Sequence, residues 1–328
     1  MKKILSLIIC ISLTLTLCSC SGGLKRFEKS FLDVFDTASN IVAYDTDADT
    51  FEVHYNELHS MLVRYNKLFD IYKSYDGITS LKDVNDNAGT SPVKVDSDTI
   101  DLLKFGKEVY GITHGAVNIC LGSVLQIWHE YRDEGTRVPE ISLLKKAAEH
   151  TDINDLVLDE KAQTVYFKDK DLKLDVGAIA KGYAAQKATE YAKQNLWDGA
   201  LINLGGNVTA YGLKPDNSKW NVQIENPNPN STEALETLKI SDESVVTSGD
   251  YQRCYEVDGK RYCHIINPKT LMPAENFSSV SVICNDSALA DALSTALFIL
   301  PLDEGKKLLQ RYPDVKAYWV DETYQVIE

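Results

Sequence analysis

The sequence passes from a strand to a helix within ten residues, Leu174-Asp175-Val176-Gly177-Ala178-Ile179-Ala180-Lys181-Gly182-Tyr183. The predicted strand ends in the carboxylate of Asp175, a turn containing Gly177 follows, and Lys181 lies in the first turn of the helix. Helix N-termini present free N–H groups that attract anions, and exposed turn carbonyls can bind a hard metal ion. The stretch therefore predicts an anion and metal site or, more simply, a helix capped by Asp175.

On both sides of this stretch, helical and strand patterns are mixed and do not strictly alternate. Helices are predicted at residues 53–72, 97–109, 142–150, 178–194, 287–300 and 302–311. Strands are predicted near residues 33–44, 156–158, 164–167, 172–174, 200–204, 220–225, 244–248, 251–257, 260–266, 279–284 and 315–320. This order favours an α+β fold, with mixed or antiparallel sheets packed against helices, over a doubly wound parallel sheet.

Three further patterns carry polar chemistry. Gly205 and Gly206 follow a buried strand, where paired glycines either admit a ligand close to the backbone or form a tight turn. Asp291 and Thr295 are four residues apart on a predicted helix, so both oxygens face one side and could bind magnesium. Alternatively, Thr295 bonds back to the carbonyl of Asp291, and the carboxylate is solvated. His264 ends a predicted hairpin strand, and a lone histidine is more often structural than catalytic.

The N-terminus predicts export and lipid anchoring. Residues 1–19 have a short basic start and an apolar core typical of a signal peptide. Leu17-Cys18-Ser19-Cys20 resembles a bacterial lipobox with Cys20 as the acceptor; the alternative is a secretory leader with incidental cysteines. Residues 20–30 would be a lipidated polar tether and residues 31–328 one catalytic domain. The domain would then be held on the outer face of the cytoplasmic membrane, or on its periplasmic side.

The amino-acid composition and net charge restrict the classes of molecule that the protein could bind. Hydrophobic residues make up 44% and charged residues 25% of the chain, which is typical of a globular protein. The formal net charge is −14, and binding to phosphate backbones needs stripes of Lys and Arg, so nucleic acid is excluded as a partner.

Two cysteines flank a predicted hairpin turn at Asp258-Gly259. Counting outward from that turn places Cys254 opposite Cys263 in a pair without backbone hydrogen bonds, close enough for a disulfide. Export permits such a bond without requiring it, so a disulfide and two reduced cysteines both remain open.

Together and in this order, these segments resemble the ApbE-type FAD:protein FMN transferase family, whose members include flavin transferase lipoproteins. The resemblance runs from about Phe35 to the last helix. It is strongest in residues 175–183, 200–206, 247–251, 264–268 and 290–296. It implies an ApbE-like, T-fold-like architecture. It also implies transfer of FMN from FAD to a Ser or Thr hydroxyl of an acceptor protein, with release of AMP.

The resemblance also implies a role for individual residues. Magnesium on the FAD pyrophosphate would be bound by the side chains of Asp291 and Thr295 and the main-chain oxygen of Ala178, and His264 would be catalytic. The matching FAD contacts are Phe35, Tyr72, Ala116, Val117, Asn118, Asp175, Lys181 and Ile266. Asn118 and Asn267 stand where the family usually has Asp, Leu271 where it has Gly, and Gln186 where Asp is common. These departures bear on cofactor affinity more than on chemistry, because the metal ligands and His264 are intact.

Other activities remain compatible with the sequence. The same metal site would serve an FAD pyrophosphatase that releases FMN and AMP to water, and a flavin-binding lipoprotein or solute receptor would perform no chemistry. For the transferase, the resemblance implies as acceptor a membrane-associated redox protein with a short Ser/Thr motif.

Overall fold

The computed structural model describes residues 23–251 and 253–327. The predicted signal peptide and Cys20 lie outside the described residues. Within them, no helix combines the length and the apolar character needed to span a bilayer.

The helices form where apolar residues recur at helical spacing, and in four of those described a polar side chain caps the first turn. Asp47, Ser80, Asp96 and Asp286 each accept a hydrogen bond from a backbone N–H of the helix that follows. Over the described residues the α-helices are α1 (Ala48–Leu68), α2 (Leu81–Asp86), α3 (Ser97–Ile112), α4 (Gly122–Glu134), α5 (Ile141–Ala148), α6 (Ala180–Asn195), α7 (Ser287–Ile299) and α8 (Leu302–Leu309).

The strands alternate buried and exposed side chains where one face meets solvent. Over the same residues they are β1 (Lys25–Phe31), β2 (Ser39–Asp45), β3 (Val93–Lys94), β4 (Leu156–Asp159), β5 (Thr164–Phe167), β6 (Ala200–Leu204), β7 (Asn207–Tyr211), β8 (Trp220–Ile224), β9 (Glu236–Ile240), β10 (Glu243–Gly249), β11 (Tyr255–Val257), β12 (Lys260–Tyr262), β13 (Ser279–Cys284), β14 (Lys316–Val320) and β15 (Val326–Ile327).

One large sheet organises the molecule, with strand order β1-β2-β6-β7-β10-β13-β14-β15 and antiparallel pairing at every step. Helices α6 and α7 pack against each other and cover one face of its centre. The hairpin β8–β9 covers the other face through a small apolar cluster that includes Trp220, Val222 and Val245. The sheets β3-β5-β4 and β11-β12 lie apart from this sheet. The predicted α+β fold is confirmed.

Some boundaries differ from the prediction. The predicted strand at residues 33–44 is a turn followed by β2, because Phe35 and Asp36 take positive φ angles of 55° and 50°. Residues 25–30, assigned above to the tether, lie in strand β1, which pairs along its whole length with β2. Residues 172–174 form no regular strand; instead the backbone of Leu174 exchanges two hydrogen bonds with the buried side chain of Asn85.

The hairpin turn at Asp258-Gly259 is confirmed. Both residues have positive φ angles, 52° and 76°, and Tyr255 pairs with Tyr262. The disulfide suggested for the next pair outward is wrong in this structure: Cys254 and Cys263 are both free thiols. The thiol of Cys263 is buried and faces the carbonyl oxygens of Ile265 and Ala274.

Candidate functional site

A cavity of about 610 Å³ opens beside the N-terminus of α6. Its wall is built from the turn after β1, the loop after α1, the segment before α4, the turn before α6 and the ends of β10 and α7. Every residue predicted for catalysis, FAD binding or metal binding lines it: Phe35, Tyr72, Ala116, Val117, Asn118, Asp175, Ala178, Lys181, His264, Ile266, Asp291 and Thr295. Residues far apart in the sequence therefore converge on one space.

The carboxylate of Asp291 lies at the buried corner of this cavity, where α6 and α7 touch. The residue is 4% exposed, and its Oδ2 accepts a hydrogen bond of 2.7 Å from the backbone N–H of Gly182. Burial raises the pKa of Asp291, and the nearby cation of Lys181 opposes this shift in part. The suggestion that this carboxylate is merely solvated is wrong. The carboxylate is thus buried and held in place, and a cation in the cavity would offset the cost of burying its charge.

Close approach of the two helices depends on Gly182. A Cβ atom at this position would lie 2.3 Å from Asp291 Cβ and 2.5 Å from the carbonyl oxygen of Ser287. Both distances are far below van der Waals contact, so only glycine permits this packing. Gly182 therefore helps to fix the position of the Asp291 carboxylate.

The hydroxyl of Thr295 faces strand β10. Its Oγ1 is 3.4 Å from Ser248 Oγ, while the bond back to the carbonyl of Asp291 is made by Ser294, at 2.9 Å. Thr295 is half-buried and lines the cavity one helical turn from Asp291. The hydroxyl and the carboxylate thus share one face of α7, as their spacing predicts.

The turn before α6 places Asp175, Ala178 and Lys181 around the cavity. Asp175 is not the helix cap: α6 begins at Ala180, and Asp175 Oδ1 accepts from the backbone N–H of Gly177 at 2.9 Å. Ile179, which precedes the helix, provides no side-chain cap. Several N–H groups of this first turn are already paired: Ala180 N–H donates to the Val176 carbonyl and Gly182 N–H to Asp291 Oδ2. The ammonium of Lys181 is therefore the clearest group that this turn offers to an anion in the cavity.

Two predicted FAD contacts are themselves fixed by hydrogen bonds. Asn118 Nδ2 donates to the carbonyl of Thr151 at 2.9 Å, and Asn118 Oδ1 accepts from the N–H of Cys120 at 2.9 Å. The backbone N–H of Phe35 donates to Asn66 Oδ1 at 2.7 Å, which stabilises a turn of positive φ. The amide of Asn118 thus shapes the loop, and the adjacent backbone at Ala116 and Val117 is presented to the cavity.

His264 follows strand β12 and is half-buried at the cavity wall. The next two residues are anchored, because Ile265 O accepts from the N–H of Ala274 at 2.8 Å and Ile266 bridges to Pro273. This short pairing holds the imidazole on the same cavity as Asp291.

Sequence reasoning missed His129, Arg132 and Arg253 in the cavity wall. His129 Nδ1 is 2.9 Å from the hydroxyl of Tyr72, and its Nε2 is 3.9 Å from Asp175 Oδ2. Helix α4, which carries His129 and Arg132, was not predicted. The recurrence of Leu121, Leu125 and His129 at intervals of four was the available signal.

A second group of possible metal ligands lies elsewhere. His150, Asp169 and Asp171 offer atoms within 4.8 Å of one another, but none of the three lines the cavity. His150 Nδ1 lies 2.7 Å from Asp169 Oδ2, a contact that ties the end of α5 to the loop after β5. This group is a hydrogen-bonded contact outside the predicted site.

The family model described as "ApbE family" matches residues 35–319. The chain belongs to the ApbE family. It is similar to an FAD:protein FMN transferase of Klebsiella pneumoniae, with 32% identity over 80% of this chain and 83% of the relative. A second FAD:protein FMN transferase, from Treponema pallidum, is 31% identical over 96% of this chain and 90% of its own.

Solved structures of ApbE proteins share the fold. The ApbE protein of Thermotoga maritima superposes with a TM-score of 0.82 at 28% identity, covering 93% of this chain and 97% of that one. The flavin transferase ApbE of Vibrio cholerae gives 0.77 at 23% identity, over 93% and 96% of the two chains. The ApbE-like architecture implied by the sequence is confirmed.

Proposed function

We propose that this ApbE family member transfers FMN from FAD to a Ser or Thr hydroxyl of an acceptor protein, in a magnesium-dependent reaction that releases AMP. The observation that carries this proposal is the convergence of Asp291, Thr295, Ala178 and His264 on one cavity. Its volume of about 610 Å³ lies within the range of small-molecule and cofactor sites. The relatives' names, FAD:protein FMN transferase, support the same reaction.

The residues present fit a magnesium ion. Magnesium prefers hard oxygen ligands, and this corner offers a carboxylate, a hydroxyl and a turn carbonyl, from Asp291, Thr295 and Ala178. Burial raises the pKa of Asp291 by disfavouring its ionised form, and a bound cation would oppose this shift by stabilising the carboxylate. When bound, the ion would neutralise charge on the phosphoryl oxygens.

The chain's own groups would bind and orient the pyrophosphate. The ammonium of Lys181, in the first turn of α6, would attract its negative charge. Phe35, Tyr72 and Ile266 offer apolar and aromatic surface on the same cavity for the flavin. Asn118 shapes the loop at residues 116–118, which would contact the adenine end.

His264 would act as the general base. In this step the acceptor hydroxyl gives its proton to an imidazole nitrogen of His264, and its oxygen bonds to the FMN phosphorus. The bond between that phosphorus and the oxygen of the AMP group breaks, so AMP leaves and FMN remains as a phosphoester. A weakly nucleophilic hydroxyl needs such a base, which typically contributes ~10²–10⁴-fold to the rate.

The proposal is tested by the intact mass of a candidate acceptor after incubation with enzyme, FAD and magnesium. A gain of one FMN unit, lost in His264→Ala, is expected. His114→Ala is the matched control, since His114 is exposed and does not line the cavity. Release of free FMN and AMP without acceptor modification would favour the FAD pyrophosphatase. Binding of FAD with no turnover at all would favour a flavin-binding lipoprotein.

We also propose that the protein is exported and lipid-anchored through Cys20, next to a membrane-associated redox acceptor. The lipobox-like Leu17-Cys18-Ser19-Cys20 after an apolar segment supports this location. Cell fractionation would test it: the wild-type protein should sediment with membranes, and Cys20→Ala should not. If both variants distribute alike, anchoring through Cys20 is wrong.

A further inference from the structure

One face of helix α4 forms a wall of the cavity. Leu121 at its start, then Leu125, His129 and Arg132, lie at intervals of three or four residues and line the same space. Next to this face the helix is anchored by Trp128, which is 3% exposed and whose indole N–H donates to the carbonyl of Leu271 at 2.9 Å. The position of His129 is therefore fixed by the packing of its neighbour.

His129 lies between two residues assigned to FAD binding. Its Nδ1 is 2.9 Å from the hydroxyl of Tyr72, and its Nε2 is 3.9 Å from Asp175 Oδ2. These partners come from the loop after α1 and from the turn before α6, which are about a hundred residues apart in sequence. The imidazole thus joins two separate walls of the cavity.

Tyr72 has little packing to hold its ring. It is 59% exposed, although its backbone N–H is fixed by a 2.7 Å bond to Asp70 Oδ1. An exposed side chain loses conformational entropy when a ligand immobilises it. A hydrogen bond from the Tyr72 hydroxyl to His129 reduces that loss, because the ring is oriented before the ligand arrives.

The protonation state of His129 suits this bond. Burial lowers the pKa of His129, with Asp175 opposing the shift. The ring is then neutral at neutral pH, so Nδ1 can accept the proton of the Tyr72 hydroxyl while Nε2–H points toward the Asp175 carboxylate. The 2.9 Å contact at Nδ1 is a hydrogen bond and the 3.9 Å contact at Nε2 is electrostatic, and a proton on Nε2 is compatible with both.

We propose that His129 is a positioning residue for FAD, which acts by fixing Tyr72 over the flavin end of the cavity and aligning it with Asp175. This inference rests on the proposed function, because it takes FAD as the ligand. His129 would contribute to FAD affinity through Tyr72 and would leave the proton transfer at His264 unchanged.

The test is a double-mutant cycle on FAD affinity, measured by quenching of flavin fluorescence with magnesium present. His129→Leu should weaken FAD binding roughly three- to tenfold, the range expected for one net hydrogen bond. Tyr72→Phe should do the same, and the double variant should be no weaker than either single variant. His129→Asn should restore affinity, because its side-chain oxygen can replace Nδ1 as the acceptor. His129→Gln should not, because its amide extends toward Asp175.

Thermal melting of each variant identifies loss of folding, and the Asn variant keeps the test informative if the Leu variant unfolds. Additive losses in the cycle, or equal affinity of the wild-type and His129→Leu proteins, would overturn the inference. Flavinylation by the wild-type protein is measured alongside. Tight FAD binding without flavinylation would contradict the proposed function and leave the outcome of the cycle interpretable.

Discussion

Gly182→Ala is the sharpest test of the contact between α6 and α7. The added methyl would lie 2.3 Å from Asp291 Cβ and 2.5 Å from the Ser287 carbonyl oxygen, neither of which can rotate away. Overpacking of this kind costs ~1–3 kcal/mol, and two rigid obstacles place the change at the upper end. Alanine regains ~1 kcal/mol through its higher helix propensity. The free energy of unfolding should therefore fall by about 2 kcal/mol.

The assay is urea denaturation, paired with FMN transfer to an acceptor. Gly111→Ala is the matched control: Gly111 is an exposed helical glycine in α3 whose added methyl would meet nothing within 4 Å. That variant should gain up to ~1 kcal/mol. In Gly182→Ala, the displaced Asp291 carboxylate should lower the transfer rate by on the order of a hundredfold, because misplacement by about 1 Å is that costly. If Gly182→Ala matches Gly111→Ala in stability and keeps wild-type activity, the inferred packing is incorrect.

Three further results are expected. Asp291→Asn should abolish the rise in melting temperature that magnesium gives the wild-type protein. In the wild type this rise in melting temperature should become smaller as the pH falls, because protons compete with the ion for the carboxylate. Burial raises the pKa of Asp291 above 3.8, so the decrease should begin above that pH. A rise in melting temperature that does not depend on pH would contradict this. Asn85→Ala should lower the free energy of unfolding by ~2–3 kcal/mol, because both backbone groups of Leu174 lose their hydrogen bonds to this buried amide. Urea denaturation measures this change, and a loss of stability under ~0.5 kcal/mol would refute the prediction. If the protein is unfolded without a reducing agent and then alkylated, peptide mapping should find both Cys254 and Cys263 modified. A peptide that joins the two cysteines would show a disulfide and contradict the structure.

Elements with strong local signals could be predicted from the sequence. Helix α3 begins after Asp96, whose side chain caps it, and extends three residues beyond the predicted end at 109. Strands β6 and β13 have the predicted bounds. Strand β6 is apolar except for Asn203, and β13 alternates Ser279 and Ser281 with apolar residues. The turn at Asp258-Gly259 follows from residue chemistry alone.

Elements whose position depends on tertiary contacts could not be predicted from the sequence. Helix α4 begins at Gly122 without a side-chain cap, and its first N–H donates to the Lys173 carbonyl at 3.1 Å. A Cβ on Gly122 would be 2.5 Å from that oxygen, so this helix start depends on a segment fifty residues away. Strand β7 was missed for a related reason: Gly205 and Gly206, with φ of 59° and 91°, form the tight turn of a hairpin that Asn207 continues.

The candidate site combines both kinds of information. The spacing of Asp291 and Thr295 places their oxygens on one face of a helix, and that much follows from periodicity. The bond from Gly182 N–H to the Asp291 carboxylate joins residues 109 positions apart, and no local pattern encodes it. The glycine at position 182 becomes interpretable only when α6 and α7 are packed together, because a Cβ there would collide with Asp291 Cβ and the Ser287 carbonyl oxygen. The resemblance supplied the residues of the site, and helix packing explains why residues from α6 and α7 line one cavity.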